Sequence, residues 1–295
     1  MEPLDVAPQG VLTGSSPARL DRAGTRALLR GPLGVGVGLF VVIVLVCVLS
    51  PFFTASPTEP DILTRLAAPS ARHWLGTDGS GRDVFSRTLQ GGRVDILLGT
   101  LGVLLSFVIG SAAGLLLGFF GGRLSELIMR LLDVIQAFPL LVFSLAMLTF
   151  LRPRIGIYST FIATIAFVAV PIFIRLVRAE TLSMRSRSFV EAAICVGNPT
   201  RRVMFRHVLP NVITSALTQL TSSMASAILL IGALSFLGVG VQPPAAEWGS
   251  MIKEGTQYTV TGVWWPAVFP GLGIILTVLA LHLMGEGFVE RRRVA

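Results

Sequence analysis

Residues 187–211 read RSFVEAAICVGNPTRRVMFRHVLPN, the longest polar interruption between apolar spans in the second half of the chain. Ser188 followed three residues later by Glu191 has the form of a capping box, in which the hydroxyl accepts from the Glu191 N–H and the carboxylate reaches back to the serine N–H. This predicts a helix from Phe189, with Phe189, Ala192, Ala193 and Val196 on one face. Gly197 stands where a left-handed residue would close two turns. Asn198 and Pro199 then predict the N-cap and first position of a second helix carrying Arg201, Arg202 and Arg206, with Pro210 breaking or kinking it as the next span begins. The product is a helix, a glycine elbow and a basic helix. Its small alanine-bearing face suits a groove in another protein, and an ordinary loop helix has the same cap chemistry.

The surrounding chain is apolar. Over 295 residues, 53% are hydrophobic and 14% charged, with a mean hydropathy of +0.76, which excludes a soluble protein and predicts an all-α, polytopic membrane protein. The net charge of +8 comes from short arginine patches between apolar spans rather than one interleaved stripe, so positive-inside topology accounts for it and nucleic acid does not. Cys47 lies in an apolar span and Cys195 on the loop helix, a pattern with no disulfide framework or metal-ligand spacing. Lys253 is the sole lysine and sits in MIKEG, so this chain builds no phosphate-cradling Walker A loop. If ATP drives it, ATP and Mg are bound on another polypeptide, and no cofactor is expected here.

Six spans are predicted. A Pro-, Gly- and Ser-rich tail over residues 1–31 precedes a first helix over 32–50, with its uncharged run from Leu33 to Leu49. A polar segment over 51–93 follows, in which Asp78 with Arg82 and Asp83 with Arg87 place acid before base at helical spacing, as an interfacial helix with Trp74 at headgroup depth would. The core over 94–284 holds five helices: about 94–120, 124–150, 155–177, 212–237 and 267–284. It encloses the loop at 179–211, and a tail over 285–295 ends the chain. Along the second span Gly102, Ser106, Gly110, Gly114, Gly118 and Gly122 recur every fourth residue, a bare face that lets a helix of this subunit or of another approach closely. Asp133 is taken as the sole intramembrane carboxylate among the candidates and is expected to pair with Arg130. The fifth span carries Thr214, Thr218, Gln219, Thr221, Ser222 and Ser226, which either bond back to their own helix or line a cavity. Arginines 19, 22, 26, 30, 123, 185, 187, 201, 202, 206 and 291–293 would lie inside, placing both termini in the cytoplasm, with the spans in contact with membrane lipid.

Several of these stretches resemble one family. Glu191-Ala192-Ala193, Gly197 and Leu209-Pro210 resemble the EAA loop of ABC importer permeases, with His207 where isoleucine is common and Val208 after it. Residues 75–87, LGTDGSGRDVFSR, resemble the LGTD-x-x-GRD-x-x-SR segment of the dipeptide and oligopeptide permeases, and residues 235–244 (SFLGVGVQPP) and 248–252 (WGSMI) resemble the same group. The likeness runs from His73 onward and is to the second of two paired permeases. It implies the six-helix type I importer permease fold, a second homologous permease, two ATPase subunits and an extracytoplasmic substrate-binding protein. It further implies that Ser188, Phe189, Glu191, Ala192, Ala193, Gly197, Arg201, Arg202, Leu209 and Pro210 dock on an ATPase, and that the chain is not itself an enzyme. The cargo would be di- or oligopeptides, with nickel complexes or another small solute as the alternative. An ion-coupled transporter would need partnered carboxylates or histidines at mid-membrane, and an intramembrane hydrolase would need a partner for His282.

Overall fold

The computed structural model describes residues 31–294, which form helices with no strand among them. In order these are α1 (Pro32–Leu49), α2 (Val84–Phe120), α3 (Gly122–Gln136), α4 (Leu140–Ile155) and α5 (Ile157–Arg185). After them come α6 (Ser188–Cys195), α7 (Thr200–Phe236), α8 (Trp248–Thr259) and α9 (Trp265–Val294). Five of them, α1, α2, α5, α7 and α9, are long and apolar enough to cross a membrane, and α3 with α4 form a pair bent by 90° that makes the sixth. The tail expected over 1–30, and the side chains of Arg291, Arg292 and Arg293, lie outside the described residues.

Helix α2 is the spine. Its 37 residues span about 55 Å at 1.5 Å per residue, well beyond a ~30 Å hydrocarbon core. It starts ten residues before the expected span because Asp83, in extended conformation, caps it: the Asp83 Oδ2 accepts from the Ser86 N–H at 2.8 Å. Residues 84–93 therefore belong to the helix and not to a separate polar segment. Its small residues face α5. A Cβ on Gly110 would lie 2.9 Å from the Val170 carbonyl oxygen, and one on Gly114 would lie 2.7 Å from that of Ile174. Gly102 and Gly118 meet Ile165 and Thr181 of α5 as closely, and the Ser106 hydroxyl turns back to the Val103 carbonyl at 2.7 Å. Gly122 departs from the expected stripe: with φ +78° it faces open space and makes the turn into α3.

The third span is not one helix. Pro139 lacks an N–H, and its ring disfavours helical geometry at Phe138, so the chain bends there and α4 restarts at Leu140. Arginine side chains of α5 reach across to α3, and Arg175 meets Asp133 at 2.6 Å; the expected Arg130 pairing is not made. Arg178 of α5 also donates to the Ser125 hydroxyl at 2.7 Å. The expected break at Pro210 is absent as well. Residues Val203–Val208 take π-helical bonds, with the Leu209 N–H reaching the Met204 carbonyl, and the shifted register admits a residue without an N–H into one continuous helix of 37 residues. At the other end, residues 285–294 continue α9 rather than forming a tail.

Between α1 and α2, Asp78 and Arg82 pair at 2.8 Å as the spacing predicts. Asp83 and Arg87 do not, because Asp83 is engaged as the cap and by His73 Nδ1 at 3.1 Å. Arg87, 1% exposed, turns instead to Asp78 at 3.3 Å, Glu254 of α8 at 3.9 Å and the carbonyl of Pro244 at 3.0 Å. This group is buried, not a solvated interfacial helix, although Trp74 beside it stays 66% exposed.

The contact of α2 with α5 generates a prediction. Replacing Gly114 by Leu forces helices apart at a backbone contact and should cost at least the ~1–3 kcal/mol typical of overpacking, seen as loss of most folded protein in detergent extracts. Leu117→Ala, on a half-buried position, should leave the yield close to wild type. Equal yields for the two variants would show that the close contact is dispensable.

Candidate functional site

Helix α6 protrudes from the junction of α5 and α7. Its extended N-cap is Arg187 (φ −81°, ψ 140°), whose carbonyl takes the N–H groups of Val190 at 2.9 Å and Glu191 at 3.2 Å. Ser188 is thereby already inside the first turn, and the expected capping box with Glu191 does not form. One face anchors: Val190 is fully buried, in the same core cluster as Val203, Met204 and Val208 of the π segment, against which α6 packs. The opposite face exposes Phe189, Glu191, Ala192, Ile194 and Val196, while Ala193 packs on the core.

The end of α6 is closed firmly. Gly197 has φ +82°, its N–H bonds the Ile194 carbonyl at 2.9 Å, and the Asn198 N–H bonds the Ala193 carbonyl at 3.3 Å, which together make a Schellman closure. The Asn198 side chain also donates back to Ala193 O at 3.0 Å, so it does not cap the following helix; Pro199 does that with extended backbone. Arg201 and Arg202 are exposed beside a depression of about 550 Å³ that they line with Pro199 and Phe205. Leu209 and Pro210 lie within α7, beyond the π segment.

The polar residues of α7 divide. Thr214, Thr218 and Thr221 donate to the carbonyls of Pro210 at 3.4 Å, Thr214 at 3.1 Å and Thr218 at 3.0 Å. Thr218, Gln219 and Ser222 also line a cavity of about 660 Å³, together with Glu180 of α5 and His282, Glu286 and Glu290 of α9. Thr214 and Ser226 are exposed outside it, and Thr221 is buried at 4%. The two arrangements are not exclusive, since Thr218 both bonds back to its own helix and lines the cavity. The sequence reading missed the acidic half of the cavity, because Glu286 and Glu290 were assigned to a tail; their spacing of four from His282 places all three on one helical face. The Glu180 carboxylate accepts from the Ser215 hydroxyl at 2.6 Å.

Asp133 is also not alone. Asp95, in α2, is 1% exposed and accepts from the Trp248 N–H at 3.1 Å, beside Glu247 at the start of α8.

The family model described as "Binding-protein-dependent transport system inner membrane component" matches residues 110–294. The dipeptide transport system permease protein DppC of Alkalihalophilus pseudofirmus is 35% identical over 97% of this chain and 92% of its own length. The di/tripeptide permease DppC of Pseudomonas aeruginosa is 42% identical, over 84% of each chain, and the probable D,D-dipeptide permease DdpC of Escherichia coli is 38% identical over 88% of this chain and 87% of its own. Among solved structures, an amino acid ABC transporter with histidines aligns with a TM-score of 0.51, covering 71% of this chain and 94% of that one at 17% identity, a likeness of fold alone. With its membrane-crossing helices, its protruding α6 and this match over most of its length, the chain belongs to the family of inner-membrane components of binding-protein-dependent transport systems, the permeases of ABC importers.

Proposed function

We propose that this chain is one of two paired permeases of an ATP-driven peptide importer, with ATP and Mg held by two separate ATPase subunits and cargo delivered by an extracytoplasmic binding protein. Residues 50–83 face outward, and α6 and both termini face the cytoplasm. The observation that carries the reading is mechanical: α6 is closed at Gly197 and packed through Val190 onto a helix that runs unbroken from Thr200 to Phe236. A displacement applied to α6 by a closing ATPase pair is passed to α7 and its cavity, whereas a loosely closed loop would absorb it. The exposed face of Phe189, Ala192, Ile194 and Val196 gives an ATPase groove its apolar contact, with Glu191, Arg201 and Arg202 around it. Peptide cargo rests on the relatives, named for dipeptides, D,D-dipeptides and di/tripeptides, which puts peptides ahead of the nickel complex or other small solute that the sequence left open. The hydroxyl and amide groups of Thr218, Gln219 and Ser222 meet a peptide backbone's alternating donors and acceptors, and Glu180 and Glu286 suit its ammonium terminus.

Three outcomes test this reading. Gly197→Val places a β-branched residue at φ +82°, a strain of about 1–3 kcal/mol. It should strip the ATPase subunits from the purified complex and abolish uptake, with Glu191→Ala weaker in both respects; a Gly197→Val transporter that keeps its ATPases and imports normally would remove α6 from the coupling path. In a background without Cys47 and Cys195, cysteines at Gln219 and Ser222 should react with a water-soluble thiol reagent, and one at the buried Thr221 should not. A cavity closed to water in every nucleotide state would leave both unmodified. In the same background an impermeant reagent added to intact cells should label Ser70→Cys and spare Thr200→Cys, and the reverse pattern would invert the topology.

A further inference from the structure

Outside the path and the docking helix, two carboxyl groups are buried together where α2 meets the first turn of α8. Asp95 is 1% exposed and Glu247 is fully buried. Glu247 caps α8, its Oε1 accepting from the Gly249 N–H at 2.7 Å and its Oε2 from the Ser250 N–H at 2.8 Å. Asp95 Oδ2 accepts the remaining first-turn donor, the Trp248 N–H, at 3.1 Å. Three N–H groups and a helix end worth roughly half a positive charge are suited to one anion, not two.

No cation supplies the balance. Arg87, two turns away on α2, is committed to Asp78, Glu254 and backbone carbonyls, and Arg93 is exposed. On α8, Lys253 lies against Gly238 and Glu254 meets Arg82. Helix α1 brings the Cys47 thiol, α7 brings Gly232 against Gly249, and α9 brings Gly273 against Trp248. Among the described residues no Lys, Arg or His pairs with either carboxyl. Asp95 Oδ1 is buried and receives no donor, while Asp95 Oδ2 and the Glu247 carboxylate take the N–H groups of three consecutive residues, Trp248, Gly249 and Ser250, which brings the two side chains to the same helix end.

We propose that Asp95 and Glu247 form a proton-binding site, in which a single proton on Asp95 Oδ1 is donated to the Glu247 carboxylate and ties α2 to α8. The proton turns an orphan acceptor into a donor and leaves one negative charge for the three backbone N–H groups. Burial pushes the Glu247 carboxyl up, against the pull of its two backbone bonds. The sign follows: the folded protein holds a proton that the unfolded chain has released above about pH 4, so the tie is intact at low pH and is lost as pH rises through the pair's apparent value. Loss of the proton sets two buried negative charges against each other and frees the start of α8.

The test uses the assembled transporter reconstituted in lipid, titrated from about pH 6 to about pH 10. Infrared difference spectra of the wild type should lose one protonated-carboxyl C=O band on alkalinisation. Asp95→Asn should lack that band, because its amide makes both bonds, accepting from Trp248 and donating to Glu247, with nothing to titrate. Glu247→Gln should lack it as well, and serves if the asparagine variant does not assemble. After correction for intrinsic exchange, amide protection of residues 248–252 should fall by up to tenfold per pH unit in the wild type above the transition and stay flat in Asp95→Asn. Wild-type spectra with no protonated buried carboxyl at neutral pH, or a band that survives in either folded variant, would overturn the proposal.

Discussion

The backbone of α2 lies directly on the backbone of α5, and the rest of the bundle is arranged around that contact. Lipid tails are as apolar as leucine, so burial alone gives two helices little reason to associate in a membrane. Close approach restores dispersion between backbones. Val170 and Ile174 of α5 offer carbonyls to the face where Gly110 and Gly114 carry no side chain. Phe107 and Phe173 stack edge to face, with centroids 5.6 Å apart, one turn from Gly110. With α2 and α5 fixed, α7 packs against both, and Trp248 of α8 is held near the N-terminal end of α2 by Gly92, Gly273 and its own Nε1–H to the Thr88 carbonyl at 2.8 Å.

How much of this was legible in the sequence depended on the range of the interaction concerned. The all-helical membrane fold followed from composition and run length, since each span satisfies its backbone within itself. The Gly197 elbow was equally local: a helix ending on a left-handed residue selects glycine, and it is found at φ +82°. Errors gathered where a neighbour competes for a side chain. The spacing of Asp83 and Arg87 fits an ion pair, but the open N-terminus of α2 holds the aspartate and buried Asp78 draws the arginine. The spacing of Asp133 and Arg130 fits equally well, and Arg175 arrives from another helix. Ser188 with Glu191 had the letters of a capping box, but the chain leaves extended geometry one residue earlier, at Arg187.

Prolines were legible as interruptions and not as geometry. Pro139 bends the chain by 90°, and Pro210 leaves a helix continuous. The difference lies in what precedes each. Before Pro139 the helical ladder ends: Ala137 makes its last i→i−4 bond, to the Asp133 carbonyl at 3.0 Å, and the Phe138 N–H reaches only Ile135, three residues back, so nothing spans the missing N–H. Before Pro210 a run of π bonds moves each acceptor one residue further back, and the widened turns take up the ring. A π segment leaves little trace in composition, so single-residue rules read a break where the structure builds a rod.

That rod gives α6 and the cavity a common support. Helix α6, with its buried Val190, packs against the π turns, while Thr218, Gln219 and Ser222 lie two to four turns further along the same helix. Regular α-helix is stiff along its axis, and the π turns are the one stretch of α7 where hydrogen bonds have been exchanged for room. They sit between α6 and the cavity, under the residues that anchor α6. On the proposed coupling, a push on α6 would arrive at the part of α7 best able to change register, and the cavity-lining side chains beyond it would move as one body because every residue from Leu209 to Phe236 is held in α-helical order. Within that lining Thr218 is bonded back to the Thr214 carbonyl at 3.1 Å, so its hydroxyl proton is satisfied by its own helix whether or not the cavity is filled.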